Sequence, residues 1–213
     1  MPKKQVSGRE PPAGRGPSQV CRWDAASSIS LAHLLKPPTC LCVESGIAVP
    51  EDLKVTGDAA SLVLCVSTAT AVNGNVALLF ADALEQRLSI CEDLALRLKT
   101  AVHEATVNAA IHGNLGLTSD MRDSLDGGAL LLQRISQLLA QESLSSRRVT
   151  LLACWTDVSI RITVRDEGRG FSPASLPDRR ERGFGRGLSI INLFASAVHI
   201  DNGGRDIVME FRR

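Results

Sequence analysis

The sequence lacks an excess of charge of either sign, a paired cysteine motif and any long apolar run, and each lack removes a class of function. The formal net charge is only +1, so the overall balance gives no argument for nucleic acid, an anionic membrane or an acidic substrate. Any basic patch must be local. The six cysteines, Cys21, Cys40, Cys42, Cys65, Cys91 and Cys154, contain no C-x-x-C spacing. They read as small apolar residues, with metal binding by the close pair Cys40 and Cys42 as the minor alternative. Residues 1 to 18 have no apolar h-region, and runs such as "SLVLCV" and "GALLLQ" are far short of a membrane span. A reduced, cytoplasmic location is the expectation. Internal repeats are absent, and so is the G-K-[ST] ending of a Walker loop.

What is present begins with a hydrophobic fraction of 44%, enough for a substantial core. Residues 1 to 18 are rich in Pro and Gly, and Lys3, Lys4, Arg9 and Arg15 outnumber Glu10. That stretch reads as a disordered basic tail. Across residues 19 to 58 prolines interrupt each short apolar run, so an irregular extension with one short strand is expected. Residues 59 to 213 then read as one domain.

Within it, "SLVLCVS" at residues 61 to 67 reads as a buried strand. A helix is expected over about residues 73 to 88. Leu94, Leu98, Val102, Ala105 and Ala109 recur at steps of three and four, which predicts a long amphipathic helix ending near Gly113. "DGGALLLQRISQLLAQES" predicts a third helix. Val158, Ile160, Ile162 and Val164 then alternate with polar residues, so the two runs flanking Thr156 and Asp157 form an antiparallel hairpin. A glycine-laced loop, a helix "LSIINLFASAV" and two short terminal strands complete the chain. Helices first and strands later, joined by hairpins, predict an α+β two-layer sandwich with a mostly antiparallel sheet.

Three strings carry candidate chemistry. In "HEATVNAAIHGN", Glu104, Asn108 and His112 are spaced to share one helix face, about 6 Å apart. An asparagine oxygen suits a magnesium ion held mainly by phosphates and water, and a carboxylate one turn earlier suits proton acceptance. The bland alternative is a solvated face. In "VRDEGRGF", Gly168 and Gly170 follow a strand and permit close approach of a ligand. Asp166, an acceptor when ionised, suits the exocyclic amine of adenine; a turn with surface charges is the alternative. In "RGFGRGLSII", Gly183, Gly185 and Gly187 precede a helix whose N-terminus suits an anion. Arg179, Arg180, Arg182 and Arg186 surround it with charge-assisted donors. A merely flexible glycine loop is the alternative there.

Together and in this order, Glu-x-x-x-Asn on a helix, Asp-x-Gly-x-Gly after a strand and Gly-x-Gly before a helix resemble the GHKL ATPase superfamily with the Bergerat nucleotide-binding fold. The resemblance covers about residues 60 to 212. It implies ATP and Mg²⁺ as ligands, Asn108 as the magnesium ligand, Glu104 as the general base and Asp166 as the adenine reader. Gly168, Gly170, Gly185 and Gly187 would shape the pocket. His112, Gly113, Phe171, Arg186 and Leu188, from the same strings, would complete the nucleotide contacts. Residues 172 to 184 would form a lid.

Within the superfamily the wording looks most like the anti-sigma-factor serine/threonine kinases of bacterial partner-switching pathways. That likeness implies γ-phosphoryl transfer to a serine of an antagonist protein, a sigma factor or similar regulator as a second partner, and a homodimer. A nucleotide-gated binding module and the ATP-binding module of a split histidine kinase are the alternatives. "HEATVN" also resembles the phosphoacceptor box of histidine kinases, with His103 as acceptor. That use would remove Glu104 and Asn108 from the nucleotide motif, and no second copy follows. The sequence departs from the family at "FASAV", where acidic residues are common, and at residues 204 to 209, "GRDIVM", which lack a supporting threonine. The insertion from Leu115 to Ser146 also falls outside the compact family form.

Overall fold

The computed structural model describes residues 19–25, 29–49, 60–118, 128–170 and 185–213. The tail at residues 1 to 18, Phe171, and the expected lid at residues 172 to 184, with Arg179, Arg180, Arg182 and Gly183, lie outside the described residues.

In chain order the elements are β1 (Gln19–Trp23), α1 (Leu31–Leu34), β2 (Thr39–Glu44), β3 (Ala60–Ser67), α2 (Thr68–Asn73), α3 (Val76–Leu88) and α4 (Glu92–Val107). A π-helical segment (Asn108–Asn114) follows, then α5 (Gly128–Leu139), α6 (Glu142–Ser145), β4 (Arg148–Trp155) and β5 (Ser159–Arg165). The chain closes with α7 (Gly185–Phe194), β6 (Ala197–Asp201), a short 3-10 turn (Asn202–Gly204) and β7 (Asp206–Arg212). The strands form one seven-stranded sheet in the order β1-β2-β3-β4-β5-β7-β6. Only the β1–β2 and β2–β3 pairings are parallel; the others are antiparallel.

Period-two alternation decides which sheet face is covered. Leu62, Leu64 and Val66 of β3, Val149, Leu151 and Ala153 of β4, and Ile160, Ile162 and Val164 of β5 are buried in one core with Phe80, Leu84, Leu98, Val102 and Ala105 of the helices. The opposite face carries cross-strand ion pairs, Arg161 to Glu210 and Arg165 to Asp206, at 2.7 and 2.8 Å, beside a small apolar cluster around Val43, Val63 and Cys65. This is the expected α+β two-layer sandwich, with its main helix layer on one face.

Four local expectations are corrected. Residues 19 to 49 contribute two strands, not one, and both extend the sheet in parallel from β3. Arg87 on α3 fastens this part by donating to the Leu35 and Thr39 carbonyls. The helix expected over residues 73 to 88 is α3, Val76–Leu88, and a separate short helix not expected from the sequence precedes it, since Ser67 caps α2 and Gly74 ends it. The Glu44 carboxylate sets that start, accepting from Ser67 N–H at 2.6 Å and from Thr70 Oγ1 at 2.7 Å. In the hairpin, Val158 belongs to the turn and is 72% exposed, while Thr156 Oγ1 accepts from the Val158 and Ser159 amides. The last helix stops at Phe194, since Ser196 N–H already bonds the Glu210 carbonyl of β7.

Candidate functional site

The helix expected to run to Gly113 changes character at Asn108. From there to Asn114 it is π-helical, and Leu115 N–H bonds the Ala110 carbonyl five residues back at 3.0 Å. Such widened turns concentrate at functional sites. The contacts at its end show what the widening accommodates. A Cβ on Gly113 would sit 2.4 Å from the Asp166 carboxyl carbon, and one on Gly168 would sit 2.1 Å from the Gly113 carbonyl oxygen. Neither position admits a side chain. The first and second strings therefore meet through two glycines and one aspartate.

Asp166 is buried, at 9% exposure. Its N–H donates to the Arg205 carbonyl at 3.0 Å, and its Oδ1 accepts from Gly168 N–H at 2.7 Å. Burial pushes its carboxyl up to about 6, with the Asp206 charge adding to the rise. The Gly168 bond and the Arg205 and Arg147 charges pull the other way but do not win. Oδ2 has no hydrogen-bond partner among the described residues. A desolvated carboxylate with one oxygen unengaged is a ready acceptor for a ligand N–H group.

Asp166 lines a cavity of about 590 Å³ together with Asn108, His112, Gly113, Gly170 and Leu188, among others. The site thus brings six of the expected residues to one space. Gly168 packs behind Asp166 and Gly113, and Gly187 lies against Asn108, where a Cβ would come within 3.0 Å of both amide atoms. Arg97 of α4 holds α7 in this place by donating to the Phe194 carbonyl from Nε and Nη2 at 3.1 and 3.0 Å. Gly185 and Arg186 open α7. Glu104 stands one turn before Asn108, half-buried, outside the cavity lining. Among the described residues its carboxylate makes no hydrogen bond or ion pair. His103 is exposed and lines a separate groove of about 260 Å³ with Val72, Leu78 and Val107.

Several lining residues were not anticipated. Arg147 and Arg169 add positive charge, and the insertion after Gly113 supplies Leu115, Leu117 and Leu144 to the wall. His112 Nδ1–H donates to the Leu117 carbonyl and so braces that wall. Asn114, fully buried, links the π-helical segment to the Asp166 turn. Arg169 sat between the glycines of the second string; Arg147 had no local signal beyond the pair it makes with Arg148. From the terminal strand the cavity receives Ile207, an apolar side chain.

A helix bearing Asn108, a strand end bearing Asp166 and a glycine-led helix thus enclose one cavity. The family model for the histidine kinase-like ATPase domain matches residues 66–211. The chain belongs to the histidine kinase-like ATPase family. No curated protein matches it. As a member, it is an ATP-binding module of the GHKL type. The ATPase domain's residues fit the nucleotide: Asp166, with one carboxylate oxygen unengaged, lines a cavity of suitable size, and Gly113 leaves the Asp166 carboxyl room beside it. Asn108, at the cavity wall, brings a side-chain oxygen of the kind magnesium takes. No cluster of three or more His, Cys, Asp or Glu side chains suited to a metal occurs among the described residues, so an ion there would rely on Asn108, phosphate oxygens and water.

Proposed function

We propose that this ATPase domain is a protein serine/threonine kinase of the anti-sigma-factor type, moving the γ-phosphoryl of ATP to a serine of an antagonist protein. The observation that supports this reading is the pair on one helix: a Glu104 carboxylate with no partner among the described residues, one turn before Asn108 at the cavity wall. In the step, the serine oxygen bonds to the γ-phosphorus as the bond to the β,γ-bridging oxygen breaks. ADP leaves with that oxygen, and Glu104 takes the hydroxyl proton. Asn108 would hold Mg²⁺, which when bound neutralises charge on the phosphate oxygens. Asp166 orients the adenine, and Arg186 or another arginine of the expected lid stabilises the transferring group. A sigma factor or similar regulator as second partner, a homodimer and a cytoplasmic location belong to the same proposal.

Incubation with ATP, Mg²⁺ and a candidate antagonist tests it. Acid-stable, base-labile phosphoserine that disappears in Glu104→Gln supports the reading; absent transfer, or equal transfer by Glu104→Gln, overturns it. The position of Glu104 outside the cavity lining favours a second reading, a nucleotide-gated module that grips a partner without turnover. ATP-dependent partner capture with no ADP formed distinguishes that case. An acid-labile, base-stable product on another chain's histidine would instead mark the catalytic module of a split histidine kinase.

A further inference from the structure

Asn114, the last residue of the first string and part of the cavity wall, is where four segments of the fold converge. It is 0% exposed. Its side-chain Oδ1 accepts from Glu167 N–H at 2.7 Å. Its Nδ2 donates to Thr68 Oγ1 at 2.8 Å and to the Arg148 carbonyl at 3.0 Å. Its own carbonyl accepts from Arg147 Nη1 at 2.7 Å. A single amide therefore ties the end of the π-helical segment to α2, to the start of β4 and to the turn after β5.

That last tie completes the restraint of the Asp166 turn. Its three successive amides each have an acceptor: Asp166 N–H on the Arg205 carbonyl, Glu167 N–H on Asn114, and Gly168 N–H on Asp166 Oδ1. The Glu167 side chain is occupied as well, accepting from Arg148 N–H at 2.8 Å and pairing with Arg148 Nη2 at 2.7 Å. Of these restraints, only the Asn114 bond joins the turn to the helix that carries Gly113 and Asn108. We propose that Asn114 is a positioning residue for base recognition: through Glu167 N–H it fixes the direction in which Asp166 presents Oδ2 to the adenine amine. The proposal rests on the nucleotide reading of the cavity.

The probes are ATP and its 6-desamino analogue, purine riboside triphosphate, which differ only by the amine. A hydrogen bond to a charged acceptor makes wild type prefer ATP by about tenfold or more. Asn114→Ala should bring that ratio to within about twofold of one, with unfolding followed separately in urea. Thr68→Val, which removes one of the two Nδ2 partners and spares the Glu167 bond, should lower stability and keep the ratio. A merely structural Asn114 would weaken both ligands equally, and an unchanged ratio in Asn114→Ala overturns the proposal. Should that variant not fold, Asn114→Asp, which keeps an oxygen for Glu167 N–H, must retain the ratio; a folded Asn114→Asp without discrimination also overturns it. Wild type that binds both ligands equally, or neither, overturns the adenine reading itself and Asn114's assignment with it.

Discussion

Replacing Asp166 by asparagine should stabilise the nucleotide-free protein at neutral pH while weakening nucleotide binding. The wild-type carboxyl rises from an ordinary 3.8 to about 6, mainly through burial. At about 1.4 kcal/mol per pH unit this gap amounts to about 3 kcal/mol. The sign follows from linkage: a raised folded-state value favours the protonated form, so the stability this group contributes is full below about pH 4 and is lost as pH rises through 6. At pH 7.5 the ionised, buried Asp166 therefore destabilises the fold by up to about 3 kcal/mol relative to a neutral isostere. Asparagine is that isostere, and its oxygen still accepts from Gly168 N–H. Urea unfolding of the nucleotide-free proteins across pH 4 to 8, with slopes compared, gives the difference directly. The variant should match wild type near pH 4 and exceed it increasingly to about pH 7. A difference independent of pH, or a less stable variant at pH 7.5, refutes the reasoning. The same substitution removes the charged acceptor, and ATP affinity should fall about tenfold or more.

Three other perturbations separate the parts of the site. The preference for ATP over purine riboside triphosphate should decline by about tenfold per unit as pH falls below 6, because protonated Asp166 no longer accepts as a charge; calorimetric titration of wild type should show the decline and Asp166→Asn should not. Gly113→Ala drives a methyl into the Asp166 carboxyl, so it should cost about 1–3 kcal/mol in urea unfolding and abolish ATP binding, whereas Gly128→Ala, with open space around its Cβ, should change neither measurably. Glu44→Ala leaves the Ser67 amide and Thr70 hydroxyl without their acceptor, and should cost about 1–3 kcal/mol in urea unfolding with ATP affinity little changed.

Much of the helix and strand layout was legible because it depends on neighbours in the chain. Leu94, Leu98, Val102, Ala105 and Ala109 all turn inward as their spacing implied, since helical periodicity and burial are two views of one face. Ile160, Ile162 and Val164 behave likewise in β5. Legibility failed where a distant group decided the outcome. The start of α2 depends on Glu44, and the parallel strands of the extension depend on the edge of β3 that β2 pairs with, neither of which a local window contains. Gly113 read as a helix terminator, yet its deciding neighbour is the Asp166 carboxyl.

The chemistry of the site was written in short strings. Asn108, Asp166 and Gly170 were expected from their chemistry and His112, Gly113 and Leu188 from the resemblance the strings carry, and all six line one cavity. Tertiary packing alone settled how they face one another. It opened the π-helical turn, set Gly113 against Gly168, desolvated Asp166 and buried Asn114 among its hydrogen-bond partners, because a buried amide or carboxyl must find its partners wherever the fold brings them. Residue type and spacing specify which groups are available and which face they share. Burial and long-range hydrogen bonding specify which atoms are left without a partner, and among the described residues Asp166 Oδ2 is one of them.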